Sequence, residues 1–232
     1  MINAPDAAGF EKGNVAGTLA MLAAATASGT RRFVHVSSLA AREPKLSQYG
    51  ASKARAEELV ERSGLDWVIV RPPAVYGPGD KETLELFRMA NAGLIMLPPR
   101  GRVSFIHADD LARLLVTLAE AHEPSKQVFE ADDGRPNGWS HREFARALSR
   151  AVGRRAFTFA APRPLVRAGA LLDRLVRRGK AKLTPDRAAY FCHPDWVVSS
   201  GHCPPPDLWR AEIATEQGIA DTARWYREHG WL

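Results

Sequence analysis

The sequence predicts an α/β fold: a parallel sheet in the first half and a smaller, mainly helical part behind it. Three observations carry this. Two short β-branched and aromatic runs, 32–37 (RFVHVS) and 67–71 (WVIVR), have the composition of buried parallel strands. Segments of helical period separate such runs, so helix and strand alternate. Beyond Asp133 the alternation stops and helical patterns dominate.

In chain order, 10–28 reads as a helix because Val15, Leu19, Leu22, Ala23 and Ala27 recur at three- and four-residue offsets, with Gly29 as its stop. Its apolar stretch is only about two-thirds of a membrane span, so a buried helix is expected. Strand 32–37 follows. After a polar loop with Pro44, Ser47 caps a helix over 49–62 that Gly64 ends. Strand 67–71 is stopped by Pro72-Pro73. Past Gly77-Pro78-Gly79 come a short helix at 83–92, a loop through Pro98, Pro99 and Gly101, and a short strand at 103–107. Helix 108–120 opens on Asp109 and Asp110, whose charge suits a first turn, and His107 anchors its start. Residues 127–131 (QVFEA) predict a third sheet strand.

Ser140-His141-Arg142-Glu143 is a capping box that opens a helix to about Val152. A small strand at 156–160 and an amphipathic helix at 164–178 follow, the latter with Leu165, Leu171, Leu172, Leu175 and Val176 on one side. Residues 184–191 predict a helix, 196–199 an extended segment, and 215–229 the last helix. The expected organisation is a sheet core over 1–132, with 78–102 contributing to a cap, and a cap plus final helix over 133–232.

The chain has 232 residues, 45% hydrophobic and 25% charged, enough for one sizeable core. Net charge is +6, and only seven of the 32 basic residues are lysines. No basic stripe interleaves with aromatics, so no nucleic-acid partner is expected. Two cysteines, Cys192 and Cys203, point to a reducing compartment. With no signal-peptide pattern and no transmembrane segment, a cytoplasmic location is expected. Cys192-His193 and His202-Cys203 lack metal-ligand spacing, so no metal is expected. Arg174, Arg177, Arg178, Lys180 and Lys182 beside the apolar face of helix 164–178 read as a solvated face, with a membrane surface as the alternative. That apolar face also suits a lid over a hydrophobic, low-polarity small-molecule substrate.

The chemistry gathers at Ser37-Ser38, at the end of the first strand, and at Tyr49 and Lys53 one helical turn apart. A free tyrosine titrates near 10 and is a poor base at neutral pH. A lysine four residues on shares its helical face and is expected to draw the phenol down. Ser38 is placed to hold a substrate oxygen against Tyr49. None of Tyr76, Tyr190 and Tyr226 has a lysine at that offset. Together Ser38, Tyr49 and Lys53 suit hydride-transfer chemistry on a carbonyl or alcohol.

With 14–18 (NVAGT), 33–38 (FVHVSS), 49–53 (YGASK), 71–79 (RPPAVYGPG) and 105–111 (FIHADDL) in this order, and a matching tail at 218–232, the whole chain resembles the extended short-chain dehydrogenase/reductases, the NAD-dependent epimerase/dehydratase family. The resemblance implies a Rossmann-type sheet and NAD or NADP as cofactor. It implies Tyr49 as acid/base, Lys53 on the nicotinamide ribose and Ser38 on the substrate carbonyl. Asn14, Ser37, Pro73, Ala74 and Val75 complete the implied cofactor contacts. The apolar residues after Pro73 lean toward steroid-dehydrogenase-like or reductase-like members and away from sugar-nucleotide epimerases.

The family opens on a strand and a glycine-rich turn that holds the pyrophosphate. Gly9, Gly13 and Gly17 do not have that spacing and follow no strand. The expectation is an incomplete Rossmann-type sheet lacking its first strands. Strand 32–37 would then be an exposed edge, open to pairing with a second copy, and the chain would bind cofactor poorly. A non-catalytic binding or assembly subunit of the same fold, or a sugar-nucleotide epimerase/dehydratase, is the alternative to a dehydrogenase-type oxidoreductase.

Overall fold

A computed structural model describes residues 2, 4, 6–177 and 184–232. Three parallel strands form the main sheet in the order β1 (Arg32–Val36), β2 (Asp66–Val70), β7 (Gln127–Phe129). The register runs from Arg32 opposite Asp66 to Val36 opposite Val70. β2 is the central strand and its hydrophobic run faces both ways. Trp67 and Ile69 pack with Leu22 and Val60 on one face. Val68 and Val70 pack with Leu114, Leu118 and Phe129 on the other. A period of two sends alternate side chains to opposite faces, so an uninterrupted apolar run is what a strand covered on both sides needs. Each such buried side chain is worth about 1.5–3 kcal/mol.

The helices on the first face are α3 (Gln48–Glu61) and a continuous rod of α1 (Ala7–Phe10), a π-helical stretch (Glu11–Ala16) and α2 (Gly17–Ala27). α2 departs from expectation: Leu22 is buried, but Leu19 and Met21 are more than half exposed. Its alanine-rich surface meets α3 along one line, and its other side faces solvent. β1 is likewise only partly buried and pairs on one side alone among the described residues, with Val36 exposed. The second face is covered by α5 (Ala108–Glu120), whose N-cap is His107: its Nδ1 accepts from the Asp109 amide at 3.2 Å.

Short strands extend the core: β3 (Ala74–Tyr76) pairs with β6 (Phe105–His107), and β4 (Leu94–Leu97) with β9 (Phe157–Ala160), both parallel. β5 (Arg102–Val103) lies between β10 (Asp195–Trp196) and β8 (Trp139–Ser140). Sequence patterning identified neither β3, β4 nor β8, because two to four residues are too few for a period to show. α4 (Leu84–Ala92), α6 (His141–Ala151) and α9 (Thr215–Glu228) enclose a second core of Tyr76, Phe87, Trp139, Phe144, Ile219 and Tyr226. The Ser140–Glu143 capping box is formed in both directions. α7 (Arg163–Arg177) and α8 (Pro185–Phe191) pack on each other. Arg178, Lys180 and Lys182 lie outside the described residues.

Gly50 fixes how α3 meets the turn that carries Ser38. A Cβ there would sit 2.6 Å from the Ala40 carbonyl oxygen and 3.1 Å from that of Glu43. Both neighbours are backbone and have no rotamer to yield. Gly50→Ala is therefore expected to cost about 1–3 kcal/mol by overpacking, measured as a fall in urea midpoint at unchanged slope. An unchanged midpoint would mean that helix and turn are not in contact as described.

Candidate active site

The site forms where β1 and β2 end. Backbone bonds hold the two strand ends together: the Ser37 amide donates to the Val70 carbonyl at 2.7 Å, and the Leu39 amide to the Pro72 carbonyl at 3.1 Å. Ser38 then caps a 3-10 turn (Leu39–Arg42), its hydroxyl accepting from the Ala40 amide at 3.2 Å. Ser47 caps α3 in the same way, accepting from the Gly50 amide at 3.0 Å. Tyr49 and Lys53 follow on one face of that helix. A carboxylate joins from α8: Asp186 accepts from the Gln48 amide at 2.6 Å, which docks α8 on the start of α3.

Tyr49 stands between two rings, Phe10 at 6.0 Å and Tyr190 of α8 at 6.4 Å. Tyr190 stacks in turn on Trp196 at 4.5 Å. Burial pushes the Tyr49 phenol up, and a hydrogen bond with Ser38 opposes this in part. The expected lowering by Lys53 is not found. The Lys53 ammonium is buried and donates to the Val36 carbonyl at 2.7 Å, and burial lowers its own pKa against the pull of Glu57. Loss of phenolate solvation outweighs a lysine turned to the backbone, so Tyr49 stays a protonated phenol at neutral pH.

Ser37, Ser38, Tyr49, Pro73, Ala74 and Val75 all line one open cleft of about 2290 Å³. The Ser37 hydroxyl is buried on its wall with no hydrogen-bond partner among the described residues. Asn14 and Lys53 stand behind this wall. Asn14, in the π-helical stretch, donates to the Ser52 hydroxyl at 2.9 Å, and Ser52 caps back onto the Tyr49 carbonyl at 2.8 Å. Most of the lining is apolar. The only basic residues on it, among those described, are His141 and Arg187, against the carboxylates of Asp6, Asp80, Glu82 and Asp186. Arg187 is paired with Glu82 at 3.0 Å. Burial lowers the pKa of His141.

Beneath the cleft lies a buried ion network. Arg71 meets Glu57 through two hydrogen bonds of 2.9 and 2.6 Å. Glu130, just past β7, accepts from Arg42 at 3.2 Å and from the Ser199 amide at 2.8 Å, and lies 3.8 Å from Arg71. The network ties α3, the Ser38 turn and two strand ends into one frame.

A family model described as the NAD dependent epimerase/dehydratase family matches residues 3–131. The chain belongs to that family. A ceramide reductase of Caulobacter vibrioides is 37% identical over 240 residues, across 100% of this chain and 73% of that protein. A UDP-glucose 4-epimerase of Vibrio cholerae is 32% identical over 149 residues, which is 54% of this chain and 45% of the other. Among solved structures, the Bordetella bronchiseptica enzyme WbmG, crystallised with NAD and UDP, aligns with a TM-score of 0.71 at 17% identity over 100% of this chain and 72% of its own. A Thermotoga maritima UDP-glucose 4-epimerase with UDP-glucose aligns at 0.69 and 18% identity, over 98% of this chain and 73% of its own. At these identities the two structures establish the Rossmann-like fold.

Family motifs led to Ser38, Tyr49 and Lys53, which the fold brings to one corner. They did not lead to Phe10, Tyr190, Asp186 or Trp196. These residues arrive from helices and a strand remote in sequence; the Thr184-Pro185-Asp186 helix start was the one local signal for Asp186. Cys192 and Cys203 are free thiols, and no group of three or more metal-ligating side chains gathers among the described residues.

His35 on β1 supplies a pH dependence. Its pKa falls to about 4, through burial first and the charge of Lys53 second, and its Nε2 is buried without a partner among the described residues. The unfolded chain therefore binds this proton more tightly. Its stabilising contribution is full above pH 6.5 and is lost as pH falls toward 4. Between pH 7 and 4.5, wild type is expected to lose about 2 kcal/mol more than His35→Leu in paired urea titrations. Equal losses would show that His35 is protonated without cost.

Proposed function

We propose that this chain provides the acid/base and substrate-holding part of an NAD(P)H-dependent reductase acting on the ketone of a long, weakly polar substrate. The cleft carries the reading. A sugar nucleotide brings a diphosphate that needs several cations, whereas this lining sets one paired arginine and an imidazole against four carboxylates. A neutral lipid suits such a wall. The relationship to a ceramide reductase supports the same class. Residues 133–232, with 78–102, act as the cap that encloses the substrate.

The residues present fit the nicotinamide–ribose half of a cofactor: an orphaned buried hydroxyl at Ser37, the phenol of Tyr49 and the ammonium of Lys53 with donors to spare. Among the described residues no strand–glycine-rich turn–helix unit is present to hold a pyrophosphate. When bound, the cofactor supplies the hydride. Ser38 holds the ketone oxygen. Tyr49, already protonated, donates its phenolic proton to that oxygen as charge develops, acting as a general acid. Lys53, one helical turn along α3, is the cation we assign to offset part of the charge of the resulting phenolate.

Two measurements test this. Calorimetric titration of the 232-residue chain with NADH or NADPH should give no micromolar constant; such a constant would place a pyrophosphate grip within these residues. A chimera joining this chain to the portion of the Caulobacter reductase that its match leaves uncovered should oxidise NAD(P)H with a ceramide-like ketone and leave UDP-glucose unchanged. Turnover of UDP-glucose without the ketone would replace the reductase reading by an epimerase.

A further inference from the structure

α7 carries an apolar surface that stays exposed among the described residues. At 3.6 residues per turn, Leu165, Ala168, Leu171, Leu172 and Leu175 fall within an arc of roughly 120°. The leucines Leu165, Leu172 and Leu175 are 57%, 62% and 75% exposed. The helix is held from its other side, where Ala170 is buried and Arg163 donates to the Cys192 carbonyl at 3.3 Å. β4 and β9 carry further exposed apolar side chains: Leu94 and Met96 on β4, with Phe157 on β9 opposite Leu94 and 70% exposed. Met96, Leu171 and Leu175 all line the cleft, so each surface contributes to its wall. Exposed apolar patches of this kind mark interaction sites.

Charge identifies the occupant. α7 has four arginines, Arg163, Arg167, Arg174 and Arg177, against Asp173 alone. Over 163–182 the sequence holds seven basic residues and one acidic, a net +6. The other 25 basic and 25 acidic residues cancel, so this segment holds the entire formal excess of the chain. A short helix that combines an exposed leucine face with four arginines in its sequence suits the interface of an anionic bilayer. With 15 residues α7 is too short to cross one, and no described helix is long and apolar enough to do so.

We infer that α7 docks this protein on an anionic lipid surface, leucine face inward, and thereby opens the cleft at the bilayer. The inference rests on exposure and charge, not on the ketone reading, and its test involves no turnover. Cosedimentation of the chain with phosphatidylglycerol vesicles should be at least about tenfold stronger than with phosphatidylcholine vesicles and should weaken at high salt. Leu165→Gln/Leu172→Gln should reduce the binding at least about tenfold with circular dichroism unchanged, and Arg167→Glu should weaken it without altering the apolar face. Equal partition to both lipids would overturn the inference, as would wild-type binding by both variants. A concentration-dependent dimer that the leucine substitutions dissociate would assign the surface to a second copy instead.

Discussion

Replacing Tyr49 by phenylalanine in the ketone-reducing chimera lowers kcat by about 10²–10⁴-fold, the usual worth of a positioned proton donor. KM changes little, because the ring keeps its place between Phe10 and Tyr190. The direction of the phenol's pKa gives the experiment a second edge. Burial raises it, so the acid form needed for reduction is present throughout the neutral range. The rate of ketone reduction should therefore be flat from pH 6 to 8 apart from stability losses. Unchanged turnover in Tyr49→Phe would remove this residue from the chemistry and leave Ser38 or solvent as the donor.

Arg71→Leu is expected to cost about 3–5 kcal/mol, the penalty for breaking a buried pair from one side. The side chains of Glu57 and Glu130 are 5% and 1% exposed, and Arg71 lies within reach of both. Removing it strands carboxylate charge beneath the cleft. Against a total stability of about 5–15 kcal/mol this is a large fraction. The double variant Arg71→Leu/Glu57→Leu should recover part of the loss, since the stranded charge is then reduced. Urea denaturation of the two variants reads this out directly. A loss below about 1 kcal/mol for Arg71→Leu would show the network to be as weak as a surface pair.

Much of this structure was legible in the sequence because each signal was local. β2 could be read from WVIVR, since a strand covered on both faces needs apolar side chains at every position. The caps at Ser47, His107 and Ser140 lie within three residues of the amides they serve. Ser38, Tyr49 and Lys53 came from spacing and order. What was not legible depends on distance. The exposure of α2 follows from what lies beside it, which its alanine-rich pattern does not encode. The Tyr49 pKa was expected to fall because spacing shows Lys53 nearby but not that Val36 holds its ammonium. Tyr190 and Asp186 reach the site from α8, more than 130 residues downstream of Gln48. The shortage of cations along the cleft, on which the proposal of a lipid ketone rests, appears only once remote segments are brought together.

The most direct test of the central claim is isotopic. The chimera is given NADH or NADPH deuterated on the transferring face, together with a ceramide-like ketone, and the product is analysed by mass spectrometry. A reductase built on Ser38, Tyr49 and Lys53 predicts an alcohol carrying one deuterium at the former carbonyl carbon, with one equivalent of cofactor oxidised and the labelled product forming about 10²–10⁴-fold more slowly in Tyr49→Phe. An unlabelled product, or cofactor that returns its hydride with no net oxidation while UDP-glucose is inverted, would contradict it.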